Sequence, residues 1–405
     1  MKKILSTVFV LWFTAALFWF PAPARSENLQ ADKFRNIQKL IGNKDAILVA
    51  DYQGKVLFSK NADKRLVPAS TLKILTSLVA LHHLGRDFRF ITEFYTDEDS
   101  NLKVKGYGDP LLISEMLDEI SETLGAKIEK YNNLILDNSY FEYPITVPGV
   151  TSSFKAYDAT NGALCVNFNT VFFKRIKKGK YVSAEPQTPL VPFALKRIRK
   201  SGIRKGRITF SPENNETALY TGHLFKYFLE KQGIKSQGKI KMGKVQEKDS
   251  IIFKYESDFS LEHVVSKLLD HSNNFIANQV LLAAGAKAYG PPGTLEKGVQ
   301  AAYAYIKSIP GAENISITEG SGISRKNRIS ANNMLRLLEK FEPFHTLMRH
   351  DGREFYKTGT LSGISTRAGY IEGGKGRLYR FVVLMNTSGR SAKNITKKLI
   401  KVCTK

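Results

Sequence analysis

The chain has 405 residues, which predicts two or three packed domains rather than one. Hydrophobic residues make up 42% and charged residues 24%, a globular composition that excludes collagen-like, coiled-coil and multi-span membrane proteins. Lysine and arginine number 61 against 37 acidic residues, and the net charge of +24 favours anionic surroundings such as a wall polymer, lipid headgroups or nucleic acid. The two cysteines, Cys165 and Cys403, exclude a disulfide framework and a cysteine-based zinc site. One bond between them stays open, although isolated cysteines are more often small buried apolar residues.

The first 25 residues have the pattern of a secretory signal. Lys2 and Lys3 precede 17 uncharged, mostly apolar residues, and Ala22-Pro23-Ala24 supplies the small residues that signal peptidase recognises. We therefore predict a signal peptide over residues 1–24. A retained N-terminal anchor is the alternative, because 17 residues is the short limit for a membrane-spanning helix. Both alternatives place the folded part outside the cytoplasm, and we predict a periplasmic protein.

The remaining chain predicts a mixture of helices and strands. Residues 46–50 and 56–58 flank a polar turn and predict a β-hairpin. A helix with leucines at helical spacing is predicted over residues 71–84. Residues 88–252 mix short strands, a helix over 112–124 and many turns, which is typical of inserted material. The last part predicts helices over 261–269, 274–284, 295–306 and 331–341, strands over 354–357, 366–371 and 378–385, and a C-terminal helix.

A serine followed three residues later by a lysine places a hydroxyl beside an amine on one helix face. The amine can take the hydroxyl proton if burial and nearby positive charge keep it neutral. Four such pairs begin at Ser70, Ser100, Ser152 and Ser236, about as many as chance gives in a basic chain of this length. Only Ser70 opens a long apolar helix that could bury its partner, Lys73.

Two further motifs follow in the chain. Ser272-Asn273-Asn274 stands at the start of a predicted helix. Lys357-Thr358-Gly359-Thr360 stands on a predicted strand, whose small residues allow a peptide-like substrate to lie beside the lysine. Ser-x-x-Lys, Ser-x-Asn and Lys-Thr-Gly, in this order on helix, helix and strand, form the pattern of serine β-lactamases and penicillin-binding proteins.

The sequence resembles one family of these enzymes, the penicillin-binding D-alanyl-D-alanine carboxypeptidases and endopeptidases of peptidase family S13, also called the penicillin-binding protein 4 or DacB family. The likeness includes the runs Gly106-Tyr107-Gly108-Asp109-Pro110 and Gly320-Ser321-Gly322-Ile323-Ser324. It implies an α+β transpeptidase-like domain, formed by residues 28–86 and 253–405, with a large mainly β insert over residues 87–252.

The resemblance also implies the catalytic roles. Ser70 is expected to attack the carbonyl between two terminal D-alanines while Lys73 takes its proton as general base. Backbone amides at Ser70 and Thr360 are expected to hold the oxyanion, and Ser272 to pass a proton to the leaving amine. The strained amide of a β-lactam is expected to acylate the same serine.

The remaining motif residues are expected to bind the substrate, a stem peptide of peptidoglycan. Asn274 is expected to hold the substrate amide and Lys73. Lys357, Thr358 and Thr360, on the strand that also carries Gly359, are expected to bind the terminal carboxylate.

Two departures from the family pattern stand out. Glu319 occupies a position where the family usually has aspartate. Ser152 occupies the approximate position of an aspartate with which some members bind the free side-chain amine of the substrate, although Asp158 is nearby. Two other functions stay open: a serine β-lactamase or esterase on the same scaffold, and a non-catalytic wall-binding protein. Glu-x-x-Leu-Asn, the deacylating motif of class A β-lactamases, is absent, which favours slow release of a β-lactam.

Neither a metal nor another cofactor is expected, because the seven histidines form no His-Glu-x-x-His motif. The densest basic segment is residues 196–207, which is either a solvated face or a contact for an anionic wall or membrane surface. Nucleic-acid binding is not expected, because the chain is predicted to be exported and this segment lacks interleaved aromatic residues.

Overall fold

The computed structural model describes residues 34–151 and 153–404. The predicted signal peptide, residues 1–24, and Ser152 lie outside these residues. In chain order the strands are β1 (Asp45–Ala50), β2 (Val56–Lys60), β3 (Arg89–Thr96), β4 (Leu102–Gly106), β5 (Lys130–Tyr131), β6 (Leu134–Asp137), β7 (Thr170–Arg175), β8 (Tyr181–Ser183), β9 (Lys205–Thr209), β10 (Lys235–Ser236), β11 (Ile240–Met242), β12 (Ser250–Ser260), β13 (Arg349–Asp351), β14 (Glu354–Leu361), β15 (Ile364–Glu372) and β16 (Leu378–Met385).

Nine α-helices of the described residues are long enough to pack as regular elements. They are α1 (Lys73–Leu84), α2 (Ser114–Gly125), α3 (Pro192–Ser201), α4 (Glu216–Lys231), α5 (Leu261–His271), α6 (Asn274–Tyr289), α7 (Leu295–Lys307), α8 (Ala331–Phe341) and α9 (Ala392–Cys403). A short helical segment over residues 34–38 precedes β1. Within the described ranges, no helix is both long and apolar enough to cross a membrane.

The two chain ends build one antiparallel sheet of six strands, in the order β13-β14-β15-β16-β1-β2. Successive side chains of a strand point to opposite faces, and β1 is buried on both. Ala46, Leu48 and Ala50 pack into the larger core, which includes α1 and α5 to α8. Ile47 and Val49 pack on the other side, into a core shared with α9 and residues 34–41. Helices therefore cover both faces of the sheet, and its antiparallel strands agree with the predicted α+β class.

The middle of the chain forms a second core between smaller sheets. A five-stranded sheet has the order β11-β6-β4-β3-β12, and a three-stranded sheet has the order β8-β7-β9. Strands β4 and β6 are parallel because α2 crosses over between them. Strand β12, Ser250–Ser260, runs across residue 252, where the sequence predicts the end of the insert, and the domain boundaries stay a prediction.

Several elements differ in extent from the sequence prediction. The helix predicted over residues 71–84 begins as a 3₁₀ turn over Ala69–Leu72 and becomes α-helical at Lys73. The strand predicted over residues 354–357 continues to Leu361. Helices α3 and α4 were not predicted. Cys165 and Cys403 are both free.

Candidate active site

Ser70 lies in the 3₁₀ turn that leads into α1, at the edge of the six-stranded sheet. Its side chain is partly exposed, whereas Lys73, one turn later, is completely buried. Lys73 Nζ lies 2.9 Å from Ser70 Oγ. The apolar residues of α1 bury the lysine stem, and the serine stays accessible because the turn precedes the buried part of the helix. The structure thus places the hydroxyl at the surface and the amine in the core.

The surroundings of Lys73 favour the neutral amine. Burial is the main cause that lowers its pKa well below the ordinary value, and the positive charge of Lys357 lowers it further, whereas Glu319 opposes the shift. Besides the serine, Lys73 Nζ donates to Asn274 Oδ1 at 2.8 Å and to the Ser321 carbonyl at 2.6 Å. Both partners can only accept hydrogen bonds. A neutral amine therefore directs its two hydrogens at them and its lone pair at the remaining neighbour, the Ser70 hydroxyl.

The second motif lies at the junction of α5 and α6. Ser272 adopts a left-handed backbone conformation, with φ of 54°, that ends α5, and Asn273 caps α6 by accepting from the backbone N–H of Ile276. This sharp junction presents Asn274 to the amine of Lys73. Asn274 Nδ2 donates in turn to the Tyr157 carbonyl at 3.3 Å. Tyr157 belongs to the middle of the chain, which therefore contributes directly to the site.

The third motif lies on β14. Lys357 is 1% exposed, and its Nζ donates to Ser272 Oγ at 2.7 Å and to the Thr358 carbonyl at 2.9 Å. Burial lowers the pKa of Lys357 to about 7, and the positive charge of Arg349 acts in the same direction, whereas Asp270 opposes it. Lys357 therefore gives up its proton more readily than an exposed lysine does.

One edge of β14 is open beside the nucleophile. Pairing with β13 ends at Tyr356, and no described strand pairs with the outer edge of residues 357–361. Thr358 and Thr360 are exposed, whereas Gly359 is buried between them. A Cβ at Gly359 would lie 2.7 Å from the backbone nitrogen of Ser70, so only glycine allows the strand to approach the serine this closely. An open edge of this kind can pair with an extended peptide.

Glu319 is a residue that the motifs do not assign to the site. It is completely buried and accepts from the Ser321 backbone N–H and hydroxyl, both at 2.6 Å, and from the Gly322 N–H at 2.7 Å. It also accepts from Asn327 Nδ2 at 2.7 Å. The carboxylate thus fixes the loop whose carbonyl accepts from Lys73 Nζ. In the sequence, the run Gly320-Ser321-Gly322 marks the position of Glu319. A run of small residues does not, however, reveal that its loop contacts Lys73.

The predicted site residues form two hydrogen-bonded groups and a strand edge. Ser70, Lys73 and Asn274 make up the first group, and Ser272 and Lys357 the second. Gly359 packs against the first group, and the two threonines, Thr358 and Thr360, flank it on the strand. Within the described part of the chain, no three His, Cys, Asp or Glu side chains are grouped so that they could hold a metal ion.

Asp158, one candidate for binding the substrate's amine, directs its side-chain hydrogen bonds away from these groups. Asp158 is buried and accepts from the hydroxyls of Thr151 at 2.7 Å and Ser153 at 2.6 Å. Its other carboxylate oxygen has no hydrogen-bond partner. Ser152, the other candidate, lies outside the described residues.

Comparison with known proteins identifies the family and the fold. A family model described as the D-Ala-D-Ala carboxypeptidase 3 (S13) family matches residues 28–351. A D-alanyl-D-alanine carboxypeptidase of Actinomadura sp. (strain R39) is 24% identical over 85% of this chain and 78% of its own length. The carboxypeptidase DacB of Haemophilus influenzae is 23% identical over 84% and 82%. The crystal structure of penicillin binding protein 4 (dacB) from Haemophilus influenzae has the same fold, with a TM-score of 0.73 over 92% of this chain and 99% of that chain at 18% identity.

The fold and the family match define a serine peptidase that hydrolyses D-Ala-D-Ala termini and acts on peptidoglycan. The chain belongs to the D-Ala-D-Ala carboxypeptidase 3 (S13) family. The predictions of the family, of the α+β fold class and of a serine-type carboxypeptidase are confirmed.

Proposed function

We propose that this protein is an exported, penicillin-binding D-Ala-D-Ala carboxypeptidase that cleaves stem peptides of peptidoglycan through an acyl-enzyme on Ser70. The observation that carries the proposal is the environment of Lys73, whose two other partners can only accept hydrogen bonds. The lone pair of the neutral amine is thereby left for the Ser70 hydroxyl. Export rests on the signal pattern of residues 1–24, and the family's substrate lies in the cell wall.

Acylation begins when Ser70 Oγ attacks the carbonyl carbon of the bond between the two D-alanines. Lys73 takes the hydroxyl proton, and the amine becomes an ammonium. The carbonyl oxygen acquires negative charge, for which the backbone amides of Ser70 and Thr360 are the proposed donors. The closeness of Gly359 to the Ser70 nitrogen supports this pairing, because it brings the strand that carries Thr360 beside the serine.

Collapse of the tetrahedral intermediate breaks the C–N bond and needs a proton on the departing amine. Ser272 is the proposed donor, and Lys357, which donates to Ser272 Oγ at 2.7 Å, replaces that proton. Lys357 also binds the terminal carboxylate, together with the hydroxyls of Thr358 and Thr360. The lysine that recognises the end of the substrate therefore lies beside the leaving group. Before the second step the Lys73 ammonium releases its proton to solvent and Lys357 takes one up. Water then attacks the acyl carbon, Lys73 again takes a proton as the base, and the C–O bond to Ser70 breaks as that proton passes to Ser70 Oγ.

A β-lactam offers the same groups as the substrate, a reactive amide and a carboxylate, and we expect it to acylate Ser70. A predatory endopeptidase from Bdellovibrio bacteriovorus, which has the same fold with a TM-score of 0.53 and 18% identity, has been crystallised in a penicillin G acylated form. That likeness shows the fold alone. The expectation for this chain rests on the arrangement of Ser70, Lys73 and Asn274.

Labelling of residues 25–405 with a fluorescent penicillin, followed by intact mass, tests the proposal. We expect a stable adduct of one β-lactam that is absent in Ser70→Ala. Ser236→Ala is a matched control, because Ser236 also begins a Ser-x-x-Lys tetrad but its hydroxyl donates to the Asn132 carbonyl. Folded protein without an adduct would favour a non-catalytic wall-binding protein. Rapid nitrocefin turnover without hydrolysis of a D-Ala-D-Ala peptide would favour a β-lactamase.

A further inference from the structure

Positive charge is concentrated in one short stretch of the chain. Residues 174–207 contain twelve lysines and arginines and a single acidic residue, Glu185, and so carry +11 of the net charge of +24. The stretch comprises the end of β7, β8, α3 and most of β9. The catalytic chemistry uses none of these side chains.

The fold brings these charges together at one end of the three-stranded sheet. Lys174, near the end of β7, lies directly opposite Lys205, the first residue of β9. Arg175, the next residue of β7, donates its backbone N–H to the Arg204 carbonyl at 2.7 Å. Like charges opposite each other on paired strands destabilise the folded sheet. This arrangement lowers the stability of the sheet, so the cations serve a purpose other than holding the fold together.

The turn between β7 and β8 lies at the same end and adds Lys177, Lys178 and Lys180. We name this group the cationic tip, and its members are Lys174, Arg175, Lys177, Lys178, Lys180, Arg204 and Lys205. All seven are exposed, and none forms an ion pair within the described residues. The two paired arginines of the stretch, Arg197 with Glu216 and Arg207 with Glu185, lie outside the tip.

An apolar side chain stands at the start of the turn between β7 and β8. Ile176 is 44% exposed and lies between Arg175 and Lys177 in the chain. Exposed cations alone suit any polyanion. An exposed isoleucine surrounded by cations suits a surface that offers negative charge and, just beneath it, hydrocarbon, which is the boundary of a lipid bilayer.

We propose that the cationic tip docks the protein onto the surface of a bilayer that contains anionic lipids. The lysines and arginines contact the headgroup phosphates, and Ile176 enters the boundary between headgroups and acyl chains. This surface is separate from the groups that carry the proposed function.

The tip lies at the end of β7 that is farther from the site residues. Strand β7 begins at Thr170, which with Asn273 and Arg207 lines a cavity of about 520 Å³. Asn273 caps α6, whose first residue is Asn274. The strand then runs five residues to Arg175, roughly 17 Å at about 3.3 Å per residue, and the turn extends beyond it. The length of the strand thus separates the tip from the start of α6, and docking by the tip uses none of the site residues.

Sedimentation of residues 25–405 with vesicles tests the proposal; this segment contains the whole described fold and lacks the apolar N-terminal stretch. We expect binding to vesicles of 30% phosphatidylglycerol in phosphatidylcholine and none to pure phosphatidylcholine. The tip variant changes Lys174, Lys177, Lys178 and Lys180 to glutamine. It should bind at least tenfold more weakly, since each cation near an anionic membrane contributes about fivefold. Ile176→Ser should weaken binding at high salt more than at low salt, because its contribution is not electrostatic.

The matched control changes four exposed lysines of α9, Lys393, Lys397, Lys398 and Lys401, to glutamine. It removes the same charge and should keep wild-type vesicle binding. Equal loss in both variants would overturn the proposal, as would binding of soluble polyphosphate without binding of vesicles, which would indicate a wall polymer. Penicillin labelling of each variant is measured in parallel. The tip variant should label like the wild type, so loss of docking and loss of the proposed function are distinguishable.

Discussion

The buried carboxylate of Glu319 lets the loop beside Lys73 be tested by an isosteric change, Glu319→Gln. One oxygen accepts from the N–H groups of Gly322 and Ser324 and from Asn327 Nδ2, and the other from the Ser321 N–H and hydroxyl and Asn278 Nδ2. A glutamine has only one accepting oxygen. In the better of its two orientations, the glutamine amide places its NH₂ group toward Ser321 and Asn278. The Ser321 hydroxyl can then rotate away, but the Ser321 backbone N–H and Asn278 Nδ2 lose their acceptor.

The cost of this change follows from that count. Each buried donor left without a partner costs about 1–3 kcal/mol, so Glu319→Gln should lower the free energy of unfolding by about 2–6 kcal/mol. The removed charge also acts on the base, because Glu319 raises the pKa of Lys73. Without it the pKa of Lys73 falls further, and the acid limb of penicillin acylation, which requires the neutral amine, should move to lower pH. Glu319→Asp keeps the charge and should keep that limb near its original position.

Urea denaturation followed by circular dichroism measures the first effect. The rate of acylation by a fluorescent penicillin between pH 5 and 9, in urea-free buffer, measures the second. If Glu319→Gln left both the denaturation midpoint and the acid limb unchanged, the carboxylate would not hold the loop as described. A shifted midpoint with an unshifted limb would refute only the electrostatic part of the reasoning.

Three other changes probe the second lysine and the strand edge. The kcat/KM for hydrolysis of a D-Ala-D-Ala peptide reports the free enzyme, so it should fall roughly tenfold per pH unit above the Lys357 pKa of about 7. Lys357→Arg should move this alkaline limb to higher pH. If the limb did not move, it would belong to a group other than Lys357. Ser272→Ala should slow peptide hydrolysis about 10²-fold, but it should slow penicillin acylation less, because the strained β-lactam amide opens more readily. Equal losses in the two reactions would contradict the role of Ser272 as proton donor. Gly359→Ala should slow acylation about 10²-fold by displacing the Ser70 amide. Gly125→Ala should label normally, because its methyl group makes only ordinary contacts, with Gln232 Cβ at 3.8 Å and Ile234 Cδ1 at 3.9 Å.

The sequence was most informative where chemistry and local structure coincide. The position of Ser70 before an apolar helix predicted a buried Lys73, because Ser70 and Lys73 lie one turn apart at the start of that helix. The order of the three motifs predicted the broad class of serine β-lactamases and penicillin-binding proteins, and the resemblance of further runs indicated the family. Helix α3 was missed because only Ala194 and Ile198 are buried among its ten residues, four of which are basic, so the sequence shows little apolar periodicity there.

Features that depend on distant backbone segments could not be predicted in the same way. The carbonyl of Tyr157 accepts from Asn274 across 117 positions of the chain, and any residue offers a carbonyl. Lys73 and Glu319 lie 246 positions apart, so the influence of the carboxylate on the base appears only in the folded protein. Strands of two residues, such as β5 and β10, exist only because they pair with each other.

The peptide bond that joins Ala69 to Ser70 shows why the site must form together with the catalytic domain. Ala69 has φ of 49°, a left-handed conformation that costs an alanine about 1–2 kcal/mol. Gly322 packs directly on the Ala69 carbonyl, and Gly359 packs on the Ser70 nitrogen, so two distant segments enclose this peptide from different sides. Neither glycine can take a side chain without displacing the nucleophile. The unfavourable backbone of Ala69 is therefore maintained only while the loop of Glu319 and strand β14 are both in place, and acylation should disappear at the same urea concentration as the six-stranded sheet.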